Sequence, residues 1–224
     1  MDPVEHAKYQ IGATQIRTYP YTHAIVDNVF PKNYYNQILA NFPSSENLEA
    51  LGKSYKLRRT FRVGTKSYME KLSDKQREFW EDFLKIFSDP SFTNFLLRHF
   101  NKYLEEVYEN RYEVTALLTQ DEPGYKLAVH RDSFEKIITG VFYLADLDED
   151  RVGIGTQIHS SKEKIDHGFG HIRDNNLFHH VSGAEYGPNR LFLFPPSNWS
   201  YHSVPIVRDK GRRAIQYNMR LRAK

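Results

Sequence analysis

Hydrophobic period changes once along this chain, near residue 112, and that change limits the architectures open to it. Upstream the spacing is helical. Phe79, Trp80, Phe83, Leu84 and Phe87 recur on one helical face behind Ser73-Asp-Lys-Gln76, a capping-box pattern. Asp89-Pro90-Ser91 then opens a second stripe of Phe92, Phe95, Leu96, His99, Phe100, Tyr103, Leu104 and Val107. Earlier still, His23 to Asp27 reads as a strand, and Pro31 opens a helix carrying Tyr35, Ile38, Leu39 and Phe42. A proline suits the start of a helix because its missing N–H would have no intrahelical partner there. Downstream the runs are short and strand-like: Tyr112 to Thr119, Leu127 to His130, Lys136 to Leu144, Leu177 to Val181, Arg190 to Phe194, Tyr201 to Val207 and Arg212 to Leu221. Gly, Pro, Asn and Asp cluster between them. Helices first and strands later predict a mostly-β fold with α, a sandwich or jelly roll whose N-terminal helices cover one sheet.

A chain of 224 residues is long enough for one domain with a sizeable core. We expect residues 1–111 to form a helix-rich supporting part and 112–224 the core. With 15 Tyr and 15 Phe, the aromatic stripes read as packing faces. A net charge of +3 spread over scattered basic residues lacks the electrostatic footprint of a nucleic-acid binder. Cysteine is absent, which excludes disulfides, thiolate metal sites and cysteine nucleophiles. Any metal must then be held by histidine and carboxylate. No signal-like N-terminus and no apolar run of bilayer-spanning length is present, so a soluble, cytoplasmic protein is expected.

Against that background His130-Arg131-Asp132 stands out, with His202 and then Arg212 far downstream. On extended chain, residues i and i+2 face the same way, so His130 and Asp132 can meet one cation. With His202 they match the two-histidine, one-carboxylate set of non-heme iron(II) sites. Residues 211–219 form a period-two strand. Arg212, Ala214, Gln216 and Asn218 share one side, which reads as the lining of a polar cavity. Arg213, Ile215, Tyr217 and Met219 share the other, which reads as a surface beneath helices. This separation places Arg212, whose fork can grip a carboxylate, on the cavity side.

The stretch Glu122-Pro-Gly-Tyr-Lys-Leu-Ala-Val-His-Arg-Asp132, followed by Lys136-Ile-Ile-Thr-Gly-Val-Phe-Tyr-Leu144, resembles the iron(II)/2-oxoglutarate-dependent dioxygenases, especially their prolyl-hydroxylase-like branch. Gly155-Thr156-Gln157, Asn189 to Phe194 and His202-Ser-Val-Pro205 with Gly211-Arg212 are similar to later motifs of that family. Ala24 to Pro31 and Phe42-Pro43 are similar to its N-terminal lead-in. The resemblance implies a double-stranded β-helix (jelly roll, cupin-like) with Fe(II) held by His130, Asp132 and His202. It implies that Arg212 binds the distal carboxylate of 2-oxoglutarate, whose oxidative decarboxylation with O2 drives hydroxylation of a prime substrate, a peptide or a small molecule. Asp132 favours hydroxylation, because halogenating relatives replace that carboxylate. Two departures stand out. A tyrosine assists the arginine in some relatives, and the matching position here reads as Phe142; Thr119, Asp121, Tyr125 and Gln157 are the substitutes by placement. Arg131, between the proximal ligands, is unusual and should point away from the metal.

Residues 160 to 180 read as a long polar loop, a lid or binding loop, with His167, His171, His179 and His180 scattered along it. Ser54 to Gly64 reads as a second loop wall. Two other functions remain open on the sequence: a non-catalytic cupin-like binding module, and an enzyme using another divalent metal on the same triad.

Overall fold

The computed structural model describes residues 2–52, 56–104, 111–147, 151–162, 170–171, 175–208 and 210–222. Its N-terminal half supplies helices α1 (Pro3–Ala13), α2 (Lys32–Ala40), α3 (Lys66–Met69), α4 (Asp74–Ser88) and α5 (Pro90–His99). Their ends follow from local chemistry. Asp2 caps α1 by accepting from the Val4 and Glu5 amides at 2.8 and 3.0 Å, a start that the sequence reading missed. Ser73 and Gln76 form the expected capping box of α4. Asp89 caps α5 through the Ser91 amide at 2.7 Å, with Pro90 in the first turn. The helix expected to continue to Val107 stops at His99; Asn101–Tyr103 tighten into a 3-10 turn, and Val107 lies outside the described residues.

The strands are β1 (Ala24–Val26), β2 (Glu49–Ala50), β3 (Arg58–Arg62), β4 (Tyr112–Asp121), β5 (Leu127–Arg131), β6 (Lys136–Leu144), β7 (Arg151–Ser161), β8 (Gly170–His171), β9 (Phe178–Tyr186), β10 (Pro188–Phe194), β11 (His202–Val204) and β12 (Arg212–Leu221). They build a seven-stranded sheet, β1-β10-β6-β12-β4-β3-β2, and a five-stranded sheet, β8-β5-β11-β7-β9. Every pairing is antiparallel. Two facing sheets with helices on the outside of the larger one make a double-stranded β-helix.

Period-two alternation divides the large sheet into two environments. Ile215, Tyr217 and Met219 of β12, with Ile138 and Phe142 of β6, join Phe30, Trp80, Phe83, Phe87 and Phe92 in the core beneath the helices. Burying each such aromatic contributes roughly 1.5–3 kcal/mol. The Tyr217 hydroxyl also donates to the Phe87 carbonyl at 2.9 Å, tying sheet to helix. On the inner face, Tyr143, Phe192, Phe194 and Ala214 meet Ile154, Ile158, Ala184 and Tyr186 of the small sheet. This second core closes one part of the gap between the sheets and leaves a cavity beside it lined by both charged and apolar side chains.

The structure corrects three element boundaries. Ser54 to Gly64 is no simple loop, since β3 pairs with β4 there, with Arg58 opposite Asp121; residues 53–55 lie outside the described residues. The expected loop at 160–180 is strand at both ends, in β7 and β9, while 163–169 and 172–174 lie outside the described residues, so the lid reading falls largely there. The strand expected to reach Val207 ends at Val204, before Pro205. No helix among the described residues is long and apolar enough to cross a membrane.

Candidate metal centre

His130 sits near the end of β5 and Asp132 follows directly beyond it, while His202 opens β11. Antiparallel pairing sets His202 opposite His130, and the two rings approach to 4.2 Å between centroids. One ligand atom from each of His130, Asp132 and His202 lies within 4.8 Å of the others. No second group of this kind occurs among the described residues. His179 and His180 are exposed on β9, and His167 lies outside the described residues, as does the side chain of His171.

The surroundings fix the form of each ligand. His130 Nδ1 lies 3.0 Å from the Ala128 carbonyl, and His202 Nδ1 lies 2.9 Å from the Ser200 carbonyl. A carbonyl only accepts, so each Nδ1 carries hydrogen and Nε2 is the ring atom that would ligate, the usual arrangement behind metal-binding imidazoles. Burial lowers the His202 pKa and outweighs the upward pull of Asp132, which keeps the ring neutral and able to ligate. Burial pushes the Asp132 carboxyl the other way, but Lys136, any proton carried by His202 or His130, and the Thr139 hydrogen bond hold it below the usual carboxylate range. Lys136 Nζ donates to Asp132 Oδ1 at 3.0 Å and Thr139 Oγ1 to Oδ2 at 2.7 Å. Two imidazoles and one fixed carboxylate suit a divalent transition metal such as iron(II). Arg131 points away, as expected: its Nη1 donates to the Asn198 carbonyl and Oδ1 at 3.1 and 3.0 Å.

The triad lines a cavity of about 220 Å³ that also receives Arg58, Tyr125, Leu127, Val141, Thr156, Val204, Arg212 and Gln216. Arg212 is only 3% exposed. Its Nε donates to Asp121 Oδ2 at 2.7 Å and its Nη1 to the Ile154 carbonyl at 2.9 Å. Its Cζ lies 5.9 Å from the centre of the Tyr143 ring. Thr139, which holds Asp132, and Tyr143 are four residues apart on β6, so roughly 13 Å of strand separates the anchors of the two cavity ends.

Among the proposed helpers of Arg212, the structure separates near from far. Asp121 bonds it directly, and Tyr125 lines the cavity. Thr119 donates to the Ala214 carbonyl at 3.3 Å and does not line the cavity. Gln157 accepts from Ser203 at 3.1 Å on the opposite face of the small sheet, so it is removed from the site. Phe142 is removed as well, because it stacks on Phe30 at 5.0 Å in the helix-side core. Its neighbour Tyr143 faces inward instead, with its hydroxyl donating to Thr156 Oγ1 at 2.7 Å. Alternation along β6 puts Tyr143, and not Phe142, on the face that carries Thr139.

Arg58, Lys136, Thr139 and Thr156 were not anticipated. For Arg58 the signal was period-two burial hidden in a basic run: Arg58 and Thr60 are buried on the inner face, whereas Arg59 is exposed.

Comparison with known proteins finds no matching family model and no matching curated protein. Solved structures do match over nearly the whole chain. A prolyl-4-hydroxylase from Pseudomonas putida aligns with TM-score 0.58 and 13% identity, covering 98% of this chain and 100% of that one. HygX from Streptomyces hygroscopicus, solved with nickel, 2-oxoglutarate and hygromycin B, aligns with TM-score 0.54 and 10% identity over 88% of this chain and 81% of that one. The non-heme alpha ketoglutarate dependent epimerase SnoN from nogalamycin biosynthesis aligns with TM-score 0.57 and 12% identity over 97% and 82%. The chain therefore has the fold of the 2-oxoglutarate/iron(II) oxygenases.

Proposed function

We propose that this chain is an iron(II)- and 2-oxoglutarate-dependent oxygenase that hydroxylates an unactivated C–H bond, with release of succinate and CO2. One observation carries the reading. A two-histidine, one-carboxylate set and a buried arginine line the same cavity, on a fold shared with such oxygenases. Bound iron(II), together with 2-oxoglutarate and O2, would supply the oxidising power. The residues would do the rest. His130, His202 and Asp132 hold the ion on one side. Arg212 orients the distal carboxylate at the far end. Leu127, Val141 and Val204 exclude water between them.

The cavity is smaller than the roughly 300–1,000 Å³ typical of pockets that enclose a drug-sized ligand. A prime substrate larger than the co-substrate would therefore present only its reacting group at the mouth. A peptidyl side chain, proline among them, or one end of a small metabolite meets that requirement. The prolyl hydroxylases among the structural neighbours support the first option, and the antibiotic-bound HygX the second.

Anaerobic addition of Fe(II) and then 2-oxoglutarate to metal-free protein tests the reading. A weak visible charge-transfer band that needs both additions, and is lost in His202→Ala, is the expected result. A folded protein that gives no band would overturn it.

A further inference from the structure

Arg58 reaches the co-substrate end of the cavity from β3, far in sequence from the triad and from Arg212. Its Nε donates to Asp121 Oδ1 at 2.6 Å and its Nη2 to Asp121 Oδ2 at 2.8 Å. This is a fork-on-carboxylate pair that uses both oxygens of Asp121. Arg212 therefore reaches Asp121 through Nε alone. Arg58, Asp121 and Arg212 are 4%, 1% and 3% exposed, so the cluster is shielded from solvent. Burial pushes the Asp121 carboxyl up, but Arg212 and Arg58 together outweigh it and keep the group ionised. Two guanidiniums share one carboxylate, so Asp121 alone offsets only one of the two buried positive charges. A buried charge of that kind is costly until an anion meets it.

We infer that Arg58 is a positioning residue for the co-substrate: by occupying Asp121, it leaves the terminal edge and the charge of Arg212 to the distal carboxylate of 2-oxoglutarate. Without Arg58, Asp121 would have both oxygens to offer Arg212. The two would close into a neutral fork-on-fork pair turned away from the ligand. The inference rests on the proposed function and adds a second determinant of co-substrate selectivity, one that acts through another residue.

The test is the dissociation constant of 2-oxoglutarate for nickel-loaded protein, measured by calorimetry, with 2-oxobutyrate as a probe lacking the second carboxylate. Arg58→Met should weaken 2-oxoglutarate by about ten- to a hundredfold, the scale of a lost charge-assisted hydrogen bond, and leave 2-oxobutyrate nearly unchanged. Adding Asp121→Asn to Arg58→Met restores the net charge and releases Arg212, so affinity should recover. Arg58→Lys, which keeps the charge without the fork, should fall between and serves if Arg58→Met does not fold. Wild-type affinity in Arg58→Met, or in Arg58→Lys where that variant stands in, would overturn the inference. So would equal loss of both probes with no recovery in the double variant, which would mark a purely structural role. Wild-type protein that binds neither probe would overturn the proposed function itself, and the inference with it.

Discussion

At His130 and His202 a backbone carbonyl two residues upstream sets the tautomer, so each ring is prepared for a metal by its own strand. His159 shows what burial does to an imidazole outside the triad. Its Nε2 lies 2.8 Å from Ser203 Oγ on the reverse face of the small sheet. Burial, helped by His180 and His202, lowers its pKa to about 4. The unfolded chain takes up that proton near pH 6.5, whereas the folded one resists it until about pH 4. Stability from a neutral His159 is thus fully present above pH 6.5 and is lost as pH falls toward 4. Wild-type protein should lose more denaturant stability than His159→Gln between pH 7 and pH 5, measured by urea titration. Parallel losses would mean that the ring protonates freely in the folded state.

Among the elements, β12 carries the largest share of the design. One face packs under the helices and the other supplies Arg212 and Gln216 to the cavity, so its register against β4 and β6 sets the Arg212 end of the cavity. Gly211 immediately precedes that register. A Cβ there would run into the Asp121 carbonyl oxygen of β4, and backbone cannot swing aside as a flexible side chain can. Gly211→Ala should push the start of β12 away from β4 at the point where Arg212 meets Asp121. The expected outcome is a rise in the 2-oxoglutarate dissociation constant of about tenfold or more with near-normal metal binding, since one charge-assisted hydrogen bond is disturbed. Unchanged affinity would show that the pair tolerates the shift. Gly155 is constrained in the same way by the Ala184 carbonyl between β7 and β9, and its replacement should loosen the small sheet.

The whole molecule separates stability from chemistry by placing them on opposite faces of the large sheet. Phe142→Ala should cost about 3–5 kcal/mol, because it opens a hole beside Phe30, Phe87 and Tyr217. In the protein that remains folded, 2-oxoglutarate affinity should be normal. A large affinity loss would return Phe142 to the site. Conversely, the triad joins β5 to β11 at one end of that pair in the small sheet, so ligand binding should report on the whole fold. Nickel at a hundred times its dissociation constant should add about 2.7 kcal/mol to the unfolding free energy. In His130→Ala that increment should disappear from thermal melts while the secondary structure persists.

Much of this protein is written in local pattern. The capping box at Ser73, the strands of β6 and β12 to their ends, the two faces of β12 and the placement of Arg212 all follow from side-chain period and turn chemistry, which act over a few residues. The candidate triad was legible for the same reason: two of its members are i and i+2 on one short run of extended chain. What local pattern does not carry is long-range register. Which of two adjacent residues on β6 faces inward depends on the sheet's two environments, and a strand that is apolar on both faces, as Phe142-Tyr143 is, does not announce its sides. Arg58 was hidden for a related reason. A basic run reads as solvated surface until β3 pairs with β4 and sets Arg58 opposite Asp121, where a carboxylate makes its burial tolerable. Pattern along the chain determined the elements and the candidate triad; pairing between distant strands decided which charges share the cavity.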